Sequence, residues 1–359
     1  MLTKRGFGVI QTFLASYLGL AMGAFFCVSN VFSQQSPIQL EVVYAGDKSL
    51  NFRGLYALSD QTVWASGNLG TVVFTNDAGQ TWQTIKVPDA GHLQFRDIHL
   101  FDEKTALIMG SGWPTHIYKT ADAGVNWRLV YVNNDSSVFL NSFDFWPDGS
   151  GICFGDPVNG TFFMLKTTDF GEHWEAFEGP PAEKGEVGFA ASGTSLVCFA
   201  DSAVIFGSGG AVSHIFKSPN RGQTWAAELS GLASGSPSKG VFGIALNGFD
   251  CIAVGGDYRK ESERDKTSAV FVFKNEEVIS GQPKGLPYQS AVIWYDSHSA
   301  ISVGTTGCYF STDFGLSWIE YAITPLHTIS KARTGNSVFA AGPDGRIYKL
   351  VIMHSCGTR

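Results

Sequence analysis

The feature that most constrains this 359-residue chain is one short phrase written five times. Thr75-NDAGQT-Trp82, Thr120-ADAGVN-Trp127, Thr167-TDFGEH-Trp174, Ser218-PNRGQT-Trp225 and Ser311-TDFGLS-Trp318 align without gaps. The shared form is Ser/Thr-x-Asp-x-Gly-x-x-Trp, with Asp77, Asp122, Asp169 and Asp313 at the acidic position and Asn220 replacing it in the fourth copy. The tryptophans recur about every 47 residues, and the last interval is twice the others, which fits a repeat architecture with one worn copy. That copy is expected near Phe271-VFKNEE-Val278, where a strand pattern persists without the Gly and Trp. A unit of this size cannot bury its apolar face alone, so neighbouring units must stack on one another.

Each residue type in the phrase has a physical task. A short acidic side chain accepts bonds from nearby backbone N–H groups and closes a turn. Glycine supplies a positive φ without a steric penalty. Tryptophan then buries a large flat face at the start of the next strand. In the second unit the alternation predicts strands at Gln94-FRDIHLF, Thr105-ALIMG, His116-IYKT and Asn126-WRLVYV, which makes four strands per unit. A last unit with Thr328-ISKA, Ser337-VFAAG and Arg346-IYKLVI has only three, and Ile38-QLEVVY is the natural fourth. Composition agrees with many short strands and Gly-rich turns: 42 glycines, 13% aromatic residues and only 16% charged residues argue against disorder and against a coiled coil.

On these residues the chain resembles the Asp-box β-propellers. The expected fold is all-β, a seven-bladed β-propeller of four-stranded antiparallel blades closed by the N-terminal strand. The phrase itself reads as a structural turn, so the five Asp or Asn positions are not expected to be catalytic. Segments such as Phe95-RD, Gly155-DP, Phe189-AASGT and Gly255-GDY make the chain similar to exported bacterial relatives of the photosystem II stability and assembly factor family. That resemblance implies a non-enzymatic assembly scaffold. The photosynthetic members hold their partner on a basic surface, whereas this chain is acidic, with a formal charge of −7.

Lys4 and Arg5 precede an apolar run from Phe7 to Val28, and Val31-Phe32-Ser33 offers a cleavage site before Gln34. Residues 1–33 are therefore expected to be a signal peptide and residues 34–359 a single propeller. Localisation is then periplasmic or secreted, and membrane contact occurs only through the N-terminal segment before cleavage. An uncleaved anchor is the alternative, because the run is long for a signal peptide. Cys153, Cys198, Cys251, Cys308 and Cys356 would remain, an odd and scattered set that makes no disulfide framework. The acidic balance gives no footprint for nucleic acid, and the chain is expected to act as a monomer.

Loops from second to third strands and the entry points of inner strands meet at one end of the channel. Two such registers bring Arg53, Arg96, Asp156, Glu186, Asp257, Tyr258 and Tyr288 together there. In a chain with few charges this convergence marks a candidate ligand site. Arg53 and Arg96 would hold a carboxylate through forked hydrogen bonds, or else tie blades together through neighbouring acids. Asp156, Glu186 and Asp257 would meet amines or hydroxyls, and Tyr258, Tyr288 and Trp113 would give flat contact. The expected occupant is a protein segment or a glycan. The insert Arg259-KESERDK-Thr267 lies over the same face and reads as a solvated flap. No HExxH, P-loop, GxSxG or GxGxxG occurs, the histidines lack metal-ligand spacing, and no cofactor or metal is expected. Resemblance to sialidases, which share the Asp-box, would imply three arginines and a tyrosine–glutamate pair. Arg53 and Arg96 supply two arginines, Arg221 lies in a turn on the other face, and Glu186 with Tyr258 or Tyr288 is the available pair. Glycoside hydrolysis by Glu186, Asp156 or Asp257 is thus the alternative to binding without catalysis.

Overall fold

Strands dominate because the apolar residues alternate along nearly every segment between glycine-containing turns. In Ala106–Ser111, Ala106 and Ile108 face one neighbouring sheet while Leu107 and Met109 face the other. A strand buried on both sides cannot lie in a two-layer sandwich with a wet face. It needs a sheet packed against each side.

A computed structural model gives the arrangement for residues 38–352 other than 275–276 and 282–284, all within one compact unit, Ser36–Arg359. The predicted signal segment, residues 1–33, and Cys356 lie outside the described residues. Seven antiparallel sheets follow one another along the chain. We number them as blades 1 to 7: residues 52–86, 94–133, 140–181, 196–229, 236–281, 291–322 and 328–352. Each begins at its innermost strand and runs outward. The outermost strand of blade 7 is Ile38–Ala45, which pairs antiparallel with Arg346–Ile352. Every innermost strand contacts that of the next blade, and the contact between blades 7 and 1 completes the circle. The fold is a seven-bladed propeller, as the repeat predicts. The worn copy keeps its strands, Ser268–Lys274 and Glu277–Gly281, although residues 275–276 of the predicted segment lie outside the described residues.

Among the described residues seven apolar clusters sit between blades and none within a single blade. The repeated phrase explains how adjacent blades lock. Asp77 Oδ1 accepts the Thr81 N–H at 2.8 Å and the Thr75 hydroxyl at 2.7 Å. The same two bonds recur at Asp122, Asp169, Asn220 and Asp313. In each turn the Ser or Thr hydroxyl oxygen also accepts the glycine N–H. The turn holds two successive residues at positive φ, as with Phe170 at 60° and Gly171 at 74°. The tryptophan that follows lies against the preceding blade: Trp127 joins the cluster between blades 1 and 2, and Trp174 that between 2 and 3. Among the described residues the worn copy leaves the cluster between blades 4 and 5 without a tryptophan, and Phe271 is its fully buried aromatic.

The glycine is required for a second reason, since a Cβ on Gly171 would stand 2.4 Å from Leu107 Cδ1 of blade 2. Gly171→Ala should therefore lower the unfolding free energy by roughly 2 kcal/mol, combining positive-φ strain with overpacking. Gly91→Ala, where an added Cβ meets nothing within 4 Å, should leave stability unchanged or slightly raised. Urea titration of both variants checks the contrast.

Candidate functional site

Four innermost strands carry an irregularity at the same place. The pairing with the second strand skips one residue between Phe52 and Gly54, Phe95 and Asp97, Leu140 and Ser142, and Val241 and Gly243. The residues left over are Arg53, Arg96, Asn141 and Phe242. A bulge re-aims the side chain of the extra residue, and Arg53, Arg96 and Phe242 all line one cavity of about 500 Å³. His327 lines it too and holds the corresponding place in blade 7, just before Thr328, which pairs with Ala341.

The charge in this cavity is one-sided along blades 7, 1 and 2. Arg53 Nη1 donates to the Ala191 carbonyl at 3.1 Å, and Arg96 Nη1 to the Ala190 carbonyl at 2.9 Å. Arg96 Nη2 donates to Gln94 Oε1 at 2.6 Å, while its buried Nε has no partner. Among the described residues no carboxylate pairs with either guanidinium. The alternative that these arginines tie blades together through acids is therefore set aside, since their fixed partners are carbonyls. Burial lowers the pKa of Arg53; burial and the nearby Arg53 charge push Arg96 down to about 10. His327 is pushed down to about 3 by burial and by the same two arginines. It stands neutral, 6% exposed, with a buried Nε2 that has no partner.

The facing wall is aromatic. Phe189 stacks on Phe242 with ring centres 3.9 Å apart, Tyr258 stands edge-on to both, and Tyr288 meets Phe242 at 5.0 Å. Two acids share the space. Asp156 accepts from Asn141 Nδ2 and the Gly188 N–H, each at 2.9 Å, and burial raises its pKa despite them. Glu261 comes from the 258–267 loop. That loop, expected as a solvated flap, is exposed at residues 258–260 and 262–266 and is anchored as well: the Tyr288 N–H donates to the Glu261 carbonyl at 2.9 Å, and Arg264 bonds the Gly285 carbonyl and stands 3.6 Å from Glu320.

The floor is the segment between blades 3 and 4, which crosses the channel. Ala190 and Ala191 face the cavity with the arginines, and the next three residues, Ser192 to Thr194, line a second cavity of about 410 Å³ at the other mouth. Ser192 Oγ donates to the Ser290 carbonyl at 2.7 Å, Thr328 Oγ1 to the Ser192 carbonyl at 3.1 Å, and the Ile244 N–H to the Thr194 carbonyl at 2.8 Å. With the two arginine contacts, five blades hold this crossing in place.

Of the seven predicted residues, Arg53, Arg96, Asp156, Tyr258 and Tyr288 line the arginine cavity. Glu186 and Asp257 do not, and their placement on its rim is corrected. The segment containing Glu186 is not the innermost strand of blade 4. Glu186–Val187 is a two-residue strand paired with Gly209–Gly210, and the innermost strand begins later, at Leu196–Phe199. The Glu186 carboxylate is fully buried and accepts from the Ser208 hydroxyl, from the Glu183 N–H at 2.9 Å and at His214 Nδ1, 2.9 Å away. Asp257 is buried and accepts the Arg259 N–H at 2.9 Å, capping the start of the loop. The tyrosine–glutamate pair that a sialidase likeness would require is thus not assembled from Glu186. Arg221 lies among the repeat turns, paired with Asp148 at 2.7 Å and set over the Trp146 ring. Trp113 is exposed and donates to the Asn134 carbonyl at 2.7 Å. Sequence reasoning missed Phe189, Phe242, Glu261 and His327. The first two sit in apolar runs and read as core, and only the bulge register singles out Phe242 and His327. Among the described residues no cluster of His, Cys, Asp or Glu has metal-ligand geometry.

Comparison with solved structures finds the same architecture. The chain is similar to "YCF48 bound to D1 peptide", with a TM-score of 0.62 and 14% sequence identity, covering 88% of this chain and 97% of that one. It is also similar to YCF48 from Cyanidioschyzon merolae, with a TM-score of 0.58 and 15% identity over 87% of this chain and 98% of that one. No protein-family model matches the sequence, and no curated protein does. At such identity the likeness establishes the fold.

Because Glu186 lies outside the cavity, Glu186→Ala should cost about 3 kcal/mol of stability, the scale for opening a buried charged network. Tyr258→Ala, at a residue 41% exposed on the cavity rim, should leave the melting temperature nearly unchanged. Differential scanning calorimetry of the two variants distinguishes the buried role from the rim role.

Proposed function

We propose that this chain is an exported, non-catalytic scaffold that holds an acidic protein segment in the arginine cavity. The observation that carries the reading is the pair Arg53 and Arg96, two guanidiniums in an open concavity with no carboxylate of the described residues within ion-pair distance. A half-buried, partly desolvated positive charge outside any ion pair is costly to the fold. An incoming carboxylate removes that cost and gains charge-assisted hydrogen bonds. The peptide bound to one structural neighbour supports a protein segment as the occupant. The apolar N-terminal run behind Lys4 and Arg5 supports export, and the scaffold acts as a monomer. Binding without turnover fits the three acids the sequence offered for hydrolysis: Asp156 is tied to Asn141 and Gly188, and Glu186 and Asp257 are committed elsewhere.

The experiment is an array of end-blocked peptides from exported proteins of the source cell, probed with the wild type and with the Arg53→Gln/Arg96→Gln double variant. Acidic peptides should be retained uncleaved by the wild type. Each lost charged hydrogen bond is worth about 1.5–3 kcal/mol, so the double variant should bind at least about 100-fold more weakly. Equal retention by the double variant overturns the reading. A parallel glycan array tests the alternative, and a sugar that is bound or cleaved while no peptide is retained establishes it instead.

A further inference from the structure

Resting on that reading of the cavity, the geometry points to the chemical group it selects: a carboxylate carried on an aromatic or similarly broad apolar body. The carboxylate lies between Arg53, Arg96 and His327, and the body lies against Phe189, Phe242 and Tyr258. Three separate features of the cavity lead there.

The first is the supply of donors. Each arginine has one nitrogen bound to a carbonyl of the crossing segment, which fixes the guanidinium planes. Arg96 Nε and His327 Nε2 are buried without partners. Polar atoms sealed from water without a partner are uncommon because each costs free energy. An oxygen ligand that reaches them accepts from Arg96 Nε and, with the ring proton on Nε2, from His327. The second is the sign and number of charges. Arg53, Arg96, Asp156 and Glu261 share the cavity, and Tyr288 and His327 border it as neutral groups. A cation would meet two guanidiniums at close range, and a doubly charged phosphate would meet two acids. The four formal charges sum to zero, so the preference for a carboxylate comes from its place beside the two guanidiniums, neither of which is in an ion pair, and not from net charge. The third is shape. The wall opposite the arginines is a stack of rings, with Phe189 and Phe242 face to face and Tyr258 on the rim. Aromatic walls of this kind gain most from an edge-on or offset ring. A volume of about 500 Å³ holds such a body with room for the chain that carries it.

The test titrates the full-length protein, by isothermal calorimetry and by ligand-observed NMR, with four small probes: 3-phenylpropionate, its amide 3-phenylpropanamide, propionate, and 3-phenylpropylammonium. 3-Phenylpropionate should bind at least about tenfold more tightly than the amide or propionate, and the ammonium should not bind, because both the charged contact and the ring contact are needed. Arg96→Gln should weaken 3-phenylpropionate about tenfold and leave the amide unchanged. Tyr258→Ala should weaken 3-phenylpropionate several-fold and leave propionate unchanged. Amide binding equal to carboxylate binding, propionate equal to 3-phenylpropionate, tighter binding of the ammonium, or no binding of any probe each overturns the inference. Peptide capture that shows no preference for a carboxylate beside an apolar residue sinks this inference and leaves the scaffold standing. Probe binding without any peptide capture does the reverse.

Discussion

Everything in this fold depends on the contact between one blade and the next. No blade holds a core of its own. Apolar residues alternate along each strand, so every blade has two faces to cover, and only another blade can cover them. This is why the phrase ending in tryptophan sits where a turn meets the neighbouring sheet. The acidic residue fixes the turn, the two left-handed residues bend it, and the tryptophan lies on the preceding blade. The same constraint shapes the end of the ring. The last blade obtains its outer strand from the start of the described chain, so residues far apart in sequence share one sheet.

A rigid ring lets a single local irregularity have a functional use. Regular pairing would direct the side chains at positions 53, 96 and 242 into the clusters between blades. The bulge frees one residue per strand from that alternation and directs it inward. Because blades repeat, the residues freed in blades 1, 2, 3 and 5, two arginines, an asparagine and a phenylalanine, share one register, and His327 holds the corresponding place in blade 7. The crossing segment then offers its carbonyls to the arginines. It fixes them in place and supplies no negative charge. The site is thus positioned by backbone groups, with neither guanidinium in an ion pair.

The repeat made the architecture legible before any coordinates. Five aligned copies at a near-constant interval dictate the number of units, and alternation within one unit gives its four strands. The site was legible where charge is rare and the register is simple: Arg53, Arg96, Asp156, Tyr258 and Tyr288 share one cavity. It was not legible where the chain leaves the repeat. Between blades 3 and 4 the segment around Glu186 looks like an entering strand, yet it makes a two-residue pairing and then crosses the channel. Glu186 is thereby carried to Ser208 and His214. Phe242 and His327 were missed for the opposite reason: a phenylalanine in an apolar strand reads as core unless the skipped pairing is known, and a bulge leaves no mark in composition.

The crossing from Ala190 to Thr194 has a consequence of its own. It divides the axial channel into two cavities that share no lining residue, one with the arginines and one facing the repeat turns. An occupant of the arginine cavity would therefore lie beneath Tyr258 and the anchored loop, with the crossing between it and the cavity on the far side.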